Sequence, residues 1–320
     1  MFGHGAPAVL SVIPDTFTFA WIVAILFATS WALDSRGLAA GRTLAAATWA
    51  LFGLFWLSTV PYFAFEHQSY VESILALVGF PASVYAGYLL YDGRASLFTL
   101  TRAIAIMLFI YLPFETIPAF TFAGVAVPEP RRILIEIVAS QTGALIDLLG
   151  YAPEAVTSNE GYDAAYSWTL DDGHTVIIHI VLACTGLGSM AIFGGLVAAV
   201  QAPLSRKFRA LAVSLPLIYV LNILRTTFIS VVAGNQYMHW YPDLVLTMFG
   251  ATDPYRVSFL ISDRIMSQLL AVVALIAITF LAVRELPELA VILEDVLYLI
   301  TGDEHDLTES LDLPREPTNR

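Results

Sequence analysis

One cysteine, Cys184, and one lysine, Lys207, occur in 320 residues, and only 13% of the chain is charged. Each scarcity excludes something. A single thiol rules out a disulfide framework and a Cys-rich zinc site, which leaves inert packing or a nucleophile for Cys184. So little charge is too little to cover a soluble domain of this length. With 58% hydrophobic residues and a mean hydropathy of +0.74, the class is a polytopic membrane protein. The 27 Asp and Glu set a formal net charge of −12, which argues against nucleic acid as a partner. Lysine is missing along nearly the whole chain while acidic residues are frequent. That is the composition of proteins soluble at very high salt, where charge repulsion is screened, and it points to a halophilic archaeal source.

Long apolar runs fill most of what is there. Seven segments read as membrane helices of roughly 17–25 residues, at about 17–33, 43–65, 70–91, 100–122, 176–200, 210–233 and 262–283. The expected fold is therefore all-α, a helical membrane bundle with about seven crossings. The opening "MFGHGAPAVLSVIPDTF" has neither a basic region nor a cleavage site, so it does not read as a signal peptide. No internal repeat is visible. Basic residues in short loops set the orientation. Arg36 and Arg42, Arg94 and Arg102, and the group Arg206, Lys207 and Arg209 fall on one side, whereas the "FEHQSYVE" loop opposite has none. Placing the basic loops inside puts the N-terminus outside and the C-terminus in the cytoplasm. The chain then divides into a membrane-embedded part, 1–284, and an acidic cytoplasmic tail, 285–320.

Between the fourth and fifth crossings lies an outside segment, 123–175. Its stretch "RRILIEIVASQTGALIDLLG" has an apolar face with Ile133, Ile137, Leu145 and Leu148, as expected of a helix in the interface. "GYDAAYSWTLDDGHTVIIHI" sets aromatics around an Asp-Asp-Gly turn and reads as a short hairpin.

The chemistry concentrates in three places. Cys184 lies just inside the outer end of the fifth segment. Asn222 and Arg225 lie in the outer half of the sixth, and Asp263 and Arg264 at the outer start of the seventh. That topology brings all three to one leaflet at similar depth. An ionisable residue inside a span costs roughly 2.5–3.5 kcal/mol on insertion scales, so Arg225 is a functional candidate. Arg264, closer to a helix end, has the alternative of snorkelling to headgroups. A thiol beside guanidinium groups suits nucleophilic acyl transfer: the cations favour the thiolate and stabilise a developing oxyanion. His179 is the nearest histidine in sequence but five residues away, off the same helical face, and is a weak candidate base. The small residues Gly186, Gly188, Ser189, Gly194 and Gly195 suit close helix approach. Glu66, His67 and Glu72 are too scattered to argue for a metal, and no cofactor motif is apparent.

"ACTGLGSMAIFGGL", followed by an Asn-x-x-Arg in the next segment and an Arg at the start of a later one, resembles the archaeosortase branch of the exosortase and archaeosortase superfamily. The resemblance covers most of the membrane region and implies Cys184 as nucleophile with Arg225 and Arg264 as its partners. Asn222 and Asp263 are tentative substrate-binding positions. Many exosortases have His at the third signature position, where this chain has Arg264. The resemblance further implies the substrates: secreted and surface proteins, such as an S-layer glycoprotein, carrying a C-terminal tripartite signal. That signal is a short Pro-Gly-Phe motif, a membrane helix and a basic end. Cleavage near the motif and transfer of the new C-terminus to a membrane phospholipid is the implied reaction. Two readings from other classes compete with it: an intramembrane cysteine protease that only hydrolyses, with Cys184 or Ser189, and a transporter or lipid-binding protein whose arginines hold an anion.

Overall fold

The computed structural model describes residues 15–66 and 69–307. The opening residues, His67 and the last stretch of the acidic tail lie outside them, and with them the signal-peptide reading. Six helical stretches are long and apolar enough to cross a membrane: Thr16–Asp34, Ala40–Glu66, Tyr70–Asp92, Leu97–Thr116, Leu204–Gly234 and Pro254–Glu285. The chain separates into two compact units.

The first unit holds α1 (Thr16–Asp34), α2 (Ala40–Pro61), α3 (Tyr70–Asp92) and α4 (Leu97–Thr116), together with 291–307 from near the C-terminus. Asp15 caps α1 by accepting from Phe17 N at 3.0 Å and Thr18 N at 3.3 Å. Helices α2 and α3 approach closely because Gly53 and Gly87 face the other helix. A Cβ at Gly53 would stand 2.9 Å from the Phe80 carbonyl oxygen, and one at Gly87 2.7 Å from that of Ala46. Phe27 fills the α1–α2 seam edge-on to Trp49, and Trp49 Nε1 donates to Thr101 Oγ1 of α4 at 2.9 Å. Large apolar side chains such as Ile74, Leu75 and Val78 stay exposed, as on a face turned to lipid.

The second unit, 117–290, begins with a hairpin, β1 (Phe120–Phe122) and β2 (Val125–Val127). Ala123 and Gly124, both at positive φ, turn the chain between them. Helix α5 (Pro130–Leu148) follows, as its amphipathic pattern predicts. A three-stranded antiparallel sheet comes next, in the order β3 (Glu154–Val156), β4 (Ala165–Thr169), β5 (Thr175–His179). The pair β4–β5 is the hairpin expected around Asp171-Asp172-Gly173, with Trp168 opposite Val176 and Ala165 opposite His179. Trp168 lies over Gly234, where any Cβ would collide with the indole ring. Tyr166 donates its hydroxyl to the Ala139 carbonyl of α5.

After β5 come a 3-10 turn, Leu182–Thr185, then α6 (Leu187–Ala199) and α7 (Leu204–Gly234). Next are α8 (Pro242–Phe249), a 3-10 turn at Pro254–Arg256, and α9 (Val257–Phe259). A π-helical stretch, Leu260–Ser267, leads into α10 (Gln268–Glu285), and α11 (Ala290–Thr301) completes the described helices. Two expectations change here. The fold is mostly helical but includes small sheets, so it is not purely all-α. The segment 176–200 is not one helix either. Its β-branched start, Val176-Ile177-Ile178, pairs with β4, and Gly186 at φ +76° breaks the chain direction before α6 begins. The 13 residues of α6 span about 20 Å, short of a hydrocarbon core of about 30 Å. A continuous apolar run cannot by itself distinguish a strand joined to a short helix from one long helix.

Acidic residues of 291–307 are built into the first unit. Asp295, 2% exposed, takes Arg94 Nε at 2.7 Å and Ser96 Oγ at 2.9 Å, while Arg94 Nη1 reaches Glu304 at 2.7 Å. The Arg94 guanidinium also lies 3.9 Å above the Tyr298 ring. Asp295→Ala leaves Arg94 without its buried partner and should cost about 2–3 kcal/mol. Glu304→Ala, whose carboxylate is 72% exposed, should cost clearly less. Thermal unfolding in one detergent checks the ranking, and equal losses would contradict it.

Candidate active site

Cys184 stands on the 3-10 turn between β5 and α6, outside the six long helices, with its side chain half-buried. Backbone bonds hold the turn. Cys184 N donates to Val181 O at 2.8 Å, and Thr185 Oγ1 donates to Leu182 O at 2.7 Å. Thr185 Oγ1 in turn accepts from Leu187 N at 3.3 Å. Two side chains of α7 fasten the same turn from outside: Asn222 Nδ2 and Thr226 Oγ1 both donate to the Cys184 carbonyl oxygen, Thr226 at 3.3 Å. Asn222 and Thr226, four residues apart, share a helix face, so one stripe of α7 addresses the cysteine. Gly186 adopts a left-handed conformation against Asn222; a Cβ there would lie 3.2 Å from Asn222 Cβ and Cγ.

One turn further along α7, Arg225 points to the π-helical stretch. Its Nη2 meets Asp263 Oδ1 at 2.7 Å, while Asp263 Oδ2 lies 3.4 Å from Arg264 Nε. One carboxylate therefore bridges both arginines. The widened coil of 260–267 sets Asp263 and Arg264 at the start of α10. Arg225 is the more open of the pair, its side chain 32% exposed against 13% for Arg264. Arg225 Nε is buried and makes no hydrogen bond. The structure thus gathers Asn222, Arg225, Asp263 and Arg264 toward the Cys184 turn from two separate elements.

Burial pushes the Cys184 thiol above its ordinary pKa. The positive charges of Arg225 and Arg264 oppose the rise and the Asp263 carboxylate adds to it, so desolvation outweighs the guanidinium pair. His179 ends β5, and its Nδ1 is buried without a hydrogen-bond partner. Ser189 is exposed and lines a cavity of about 560 Å³ between α6, α7 and α10, with Gly186, Asn222, Arg225 and Ser267 around it.

Residues 12–254 match the family model described as Transmembrane exosortase. The chain belongs to the transmembrane exosortase family. It is 53% identical over 294 residues to Archaeosortase A of Haloferax volcanii, covering 92% of this chain and 97% of that relative. It is 42% identical over 312 residues to Archaeosortase A of Natronomonas pharaonis, covering 93% of each. No solved structure matches it. The archaeosortase resemblance read from Cys184, the Asn222–Arg225 pair and Arg264 is borne out by these relatives. Membership supports a multi-pass membrane protein and a sorting enzyme of peptidase or transpeptidase type. The family match takes in Cys184, Asn222 and Arg225 and ends before Asp263 and Arg264.

Three features of the site escape a linear reading. The π-helical stretch has no composition signal. Thr226 looks like one more small polar residue in an apolar helix. The Asn222 amide donates to the Cys184 carbonyl, a backbone contact that its place in the motif does not spell out.

The thiol gives a pH test. Alkylation of Cys184 by iodoacetamide should rise with pH to a midpoint above the usual thiol value of about 8.5. Arg225→Gln removes an opposing positive charge, so its midpoint should move further up. A midpoint that falls in this variant would show that the guanidinium does not act on the sulfur.

Proposed function

We propose that the chain is a membrane cysteine transpeptidase that removes a C-terminal sorting signal and transfers the new C-terminus to a membrane lipid. The observation that carries this reading is the Asp263-braced pair of Arg225 and Arg264 facing a cysteine whose backbone is clamped by Asn222 and Thr226. A nucleophile on a fixed turn, with fixed positive charge beside it, meets the geometric need of acyl transfer. The relatives' printed name, Archaeosortase A, agrees with it.

In the proposed reaction Cys184 Sγ attacks the carbonyl carbon of the scissile peptide near the Pro-Gly-Phe motif. An S–C bond forms, and negative charge develops on the carbonyl oxygen, where the guanidinium groups stabilise it. The C–N bond then breaks and the departing amine takes up the proton that the thiol gave up, leaving a thioester on Cys184. A lipid headgroup nucleophile attacks the thioester and releases the sulfur. A thiol held neutral by burial would ionise on substrate binding, when water is displaced and the arginines act in a drier site. Asp263 keeps the two cations together, and Asn222 sets the cysteine's direction.

Client proteins would be secreted and surface proteins with the tripartite signal, such as an S-layer glycoprotein. The active site would face the outer leaflet of the cell membrane, with the N-terminus outside and residues 285–320 in the cytoplasm. A protease-sensitive tag after Arg320 should survive protease added to intact cells, and its digestion would overturn that orientation.

Cys184→Ala should abolish client processing while the protein still inserts into the membrane. Arg225→Lys keeps a charge but loses the planar fork that serves Asp263 with Nη2, so it should fall by about 100-fold or more, close to Arg225→Ala. Processing is read as the shift of a client's C-terminal fragment, with lipid on the product identified by mass spectrometry. Near-normal processing by Cys184→Ala would point instead to an anion-binding role for the arginines. A product without lipid would leave hydrolysis alone.

A further inference from the structure

The cavity between α6, α7 and α10 has a defined shape. Its wall runs from Ser267 to Ile278 on α10 and from Ile218 to Phe228 on α7. At about 1.5 Å per residue, that is a slot about 16 Å long. Its length and its apolar walls suit a hydrocarbon chain.

The slot also has a direction. Helices α7 and α10 run antiparallel, with Arg225 paired to Asp263 at one end and Arg209 to Glu285 at the other. Gly186, Ser189, Asn222, Arg225 and Ser267 therefore gather at one end, while Phe193, Ile218, Ala277 and Ile278 close the other. Two polar atoms at the first end have no protein partner. Ser267 is 2% exposed with an unbonded Oγ, and Arg225 Nε is likewise buried and unbonded. Leaving such donors unmet is costly unless a bound group meets them. The neighbourhood carries two guanidinium groups against the one carboxylate of Asp263, an excess of positive charge.

We infer that this slot binds one hydrocarbon chain of a membrane phospholipid, its anionic headgroup oxygen held by Ser267 Oγ and Arg225 Nε. Apolar walls along its length, with unmet donors and positive charge at one end, describe an anionic amphiphile lying along α7 and α10. Its headgroup then sits beside the turn that carries Cys184. The role of that lipid as acyl acceptor rests on the function proposed above; its binding does not.

The test uses the full-length protein reconstituted in vesicles of an anionic phospholipid doped with a phospholipid carrying a photoactivatable diazirine on its acyl chain. Cross-linked peptides are mapped by mass spectrometry. Labelling should be enriched severalfold on slot residues over the exposed outer face of α10. Ala274→Trp, which fills the slot, should remove the enrichment. Ile276→Trp, on the exposed side of the same helix, should not. Ser267→Ala should keep its thermal stability or gain slightly, because it deletes an unbonded buried hydroxyl, yet lose slot labelling by about tenfold. Uniform labelling along the helices overturns the proposal, as does unchanged labelling in both Ala274→Trp and Ser267→Ala. Labelling in Cys184→Ala separates the two readings. If labelling persists and clients are still processed, the lipid site stands and the cysteine reading falls. If processing is lost while labelling is uniform, the reverse holds.

Discussion

A single carboxylate, that of Asp263, holds the site together. Arg225 and Arg264 are like charges in a sparsely hydrated part of the protein, and each costs several kcal/mol to bury without a counter-ion. Asp263 accepts from Arg225 at 2.7 Å and lies 3.4 Å from Arg264 Nε, which turns mutual repulsion into a three-membered cluster. Its own burial is tolerable only because the two cations are there. The arrangement leaves one positive charge in excess, and that surplus faces the Cys184 turn. The other parts serve this geometry. Gly186 lets the Cys184 turn lie against Asn222 of α7, and the sheet over Gly234 braces the far end of α7.

Bonding the backbone of Cys184, rather than its sulfur, divides the labour. Asn222 and Thr226 grip the carbonyl oxygen, so the thiol direction is set without engaging the atom that reacts. The sulfur stays desolvated and protonated, and the cations remain with Asp263.

Much of this was legible in the chain. Charge scarcity and apolar runs identified the membrane class, because a lipid-facing surface needs no charge to stay solvated. The residues Cys184, Arg225, Asp263 and Arg264 stood out because ionisable or nucleophilic groups in apolar surroundings are costly to keep. The hairpin around Asp171-Asp172-Gly173 and the helix Pro130–Leu148 followed from turn chemistry and periodicity. What hydropathy cannot register is backbone conformation within an apolar run. Val176 to Val200 is equally apolar as strand, turn and short helix, and only pairing with β4 and the left-handed Gly186 decide between them.

The π-helical stretch at Leu260–Ser267 makes the site sensitive to chain length rather than composition. A wider coil accommodates an extra residue per turn within a helix whose two ends are already committed, one to α9 and the other to the long apolar α10. Deleting any one residue there would leave the span hydrophobic, charged and long enough as before. It would also rotate everything on one side of the deletion by about 100° relative to the other. Asp263 would then lose its alignment with Arg225 while α10 kept its packing. Substitution is gradual at such a place, whereas a change of a single residue in spacing switches the carboxylate from one helix face to another.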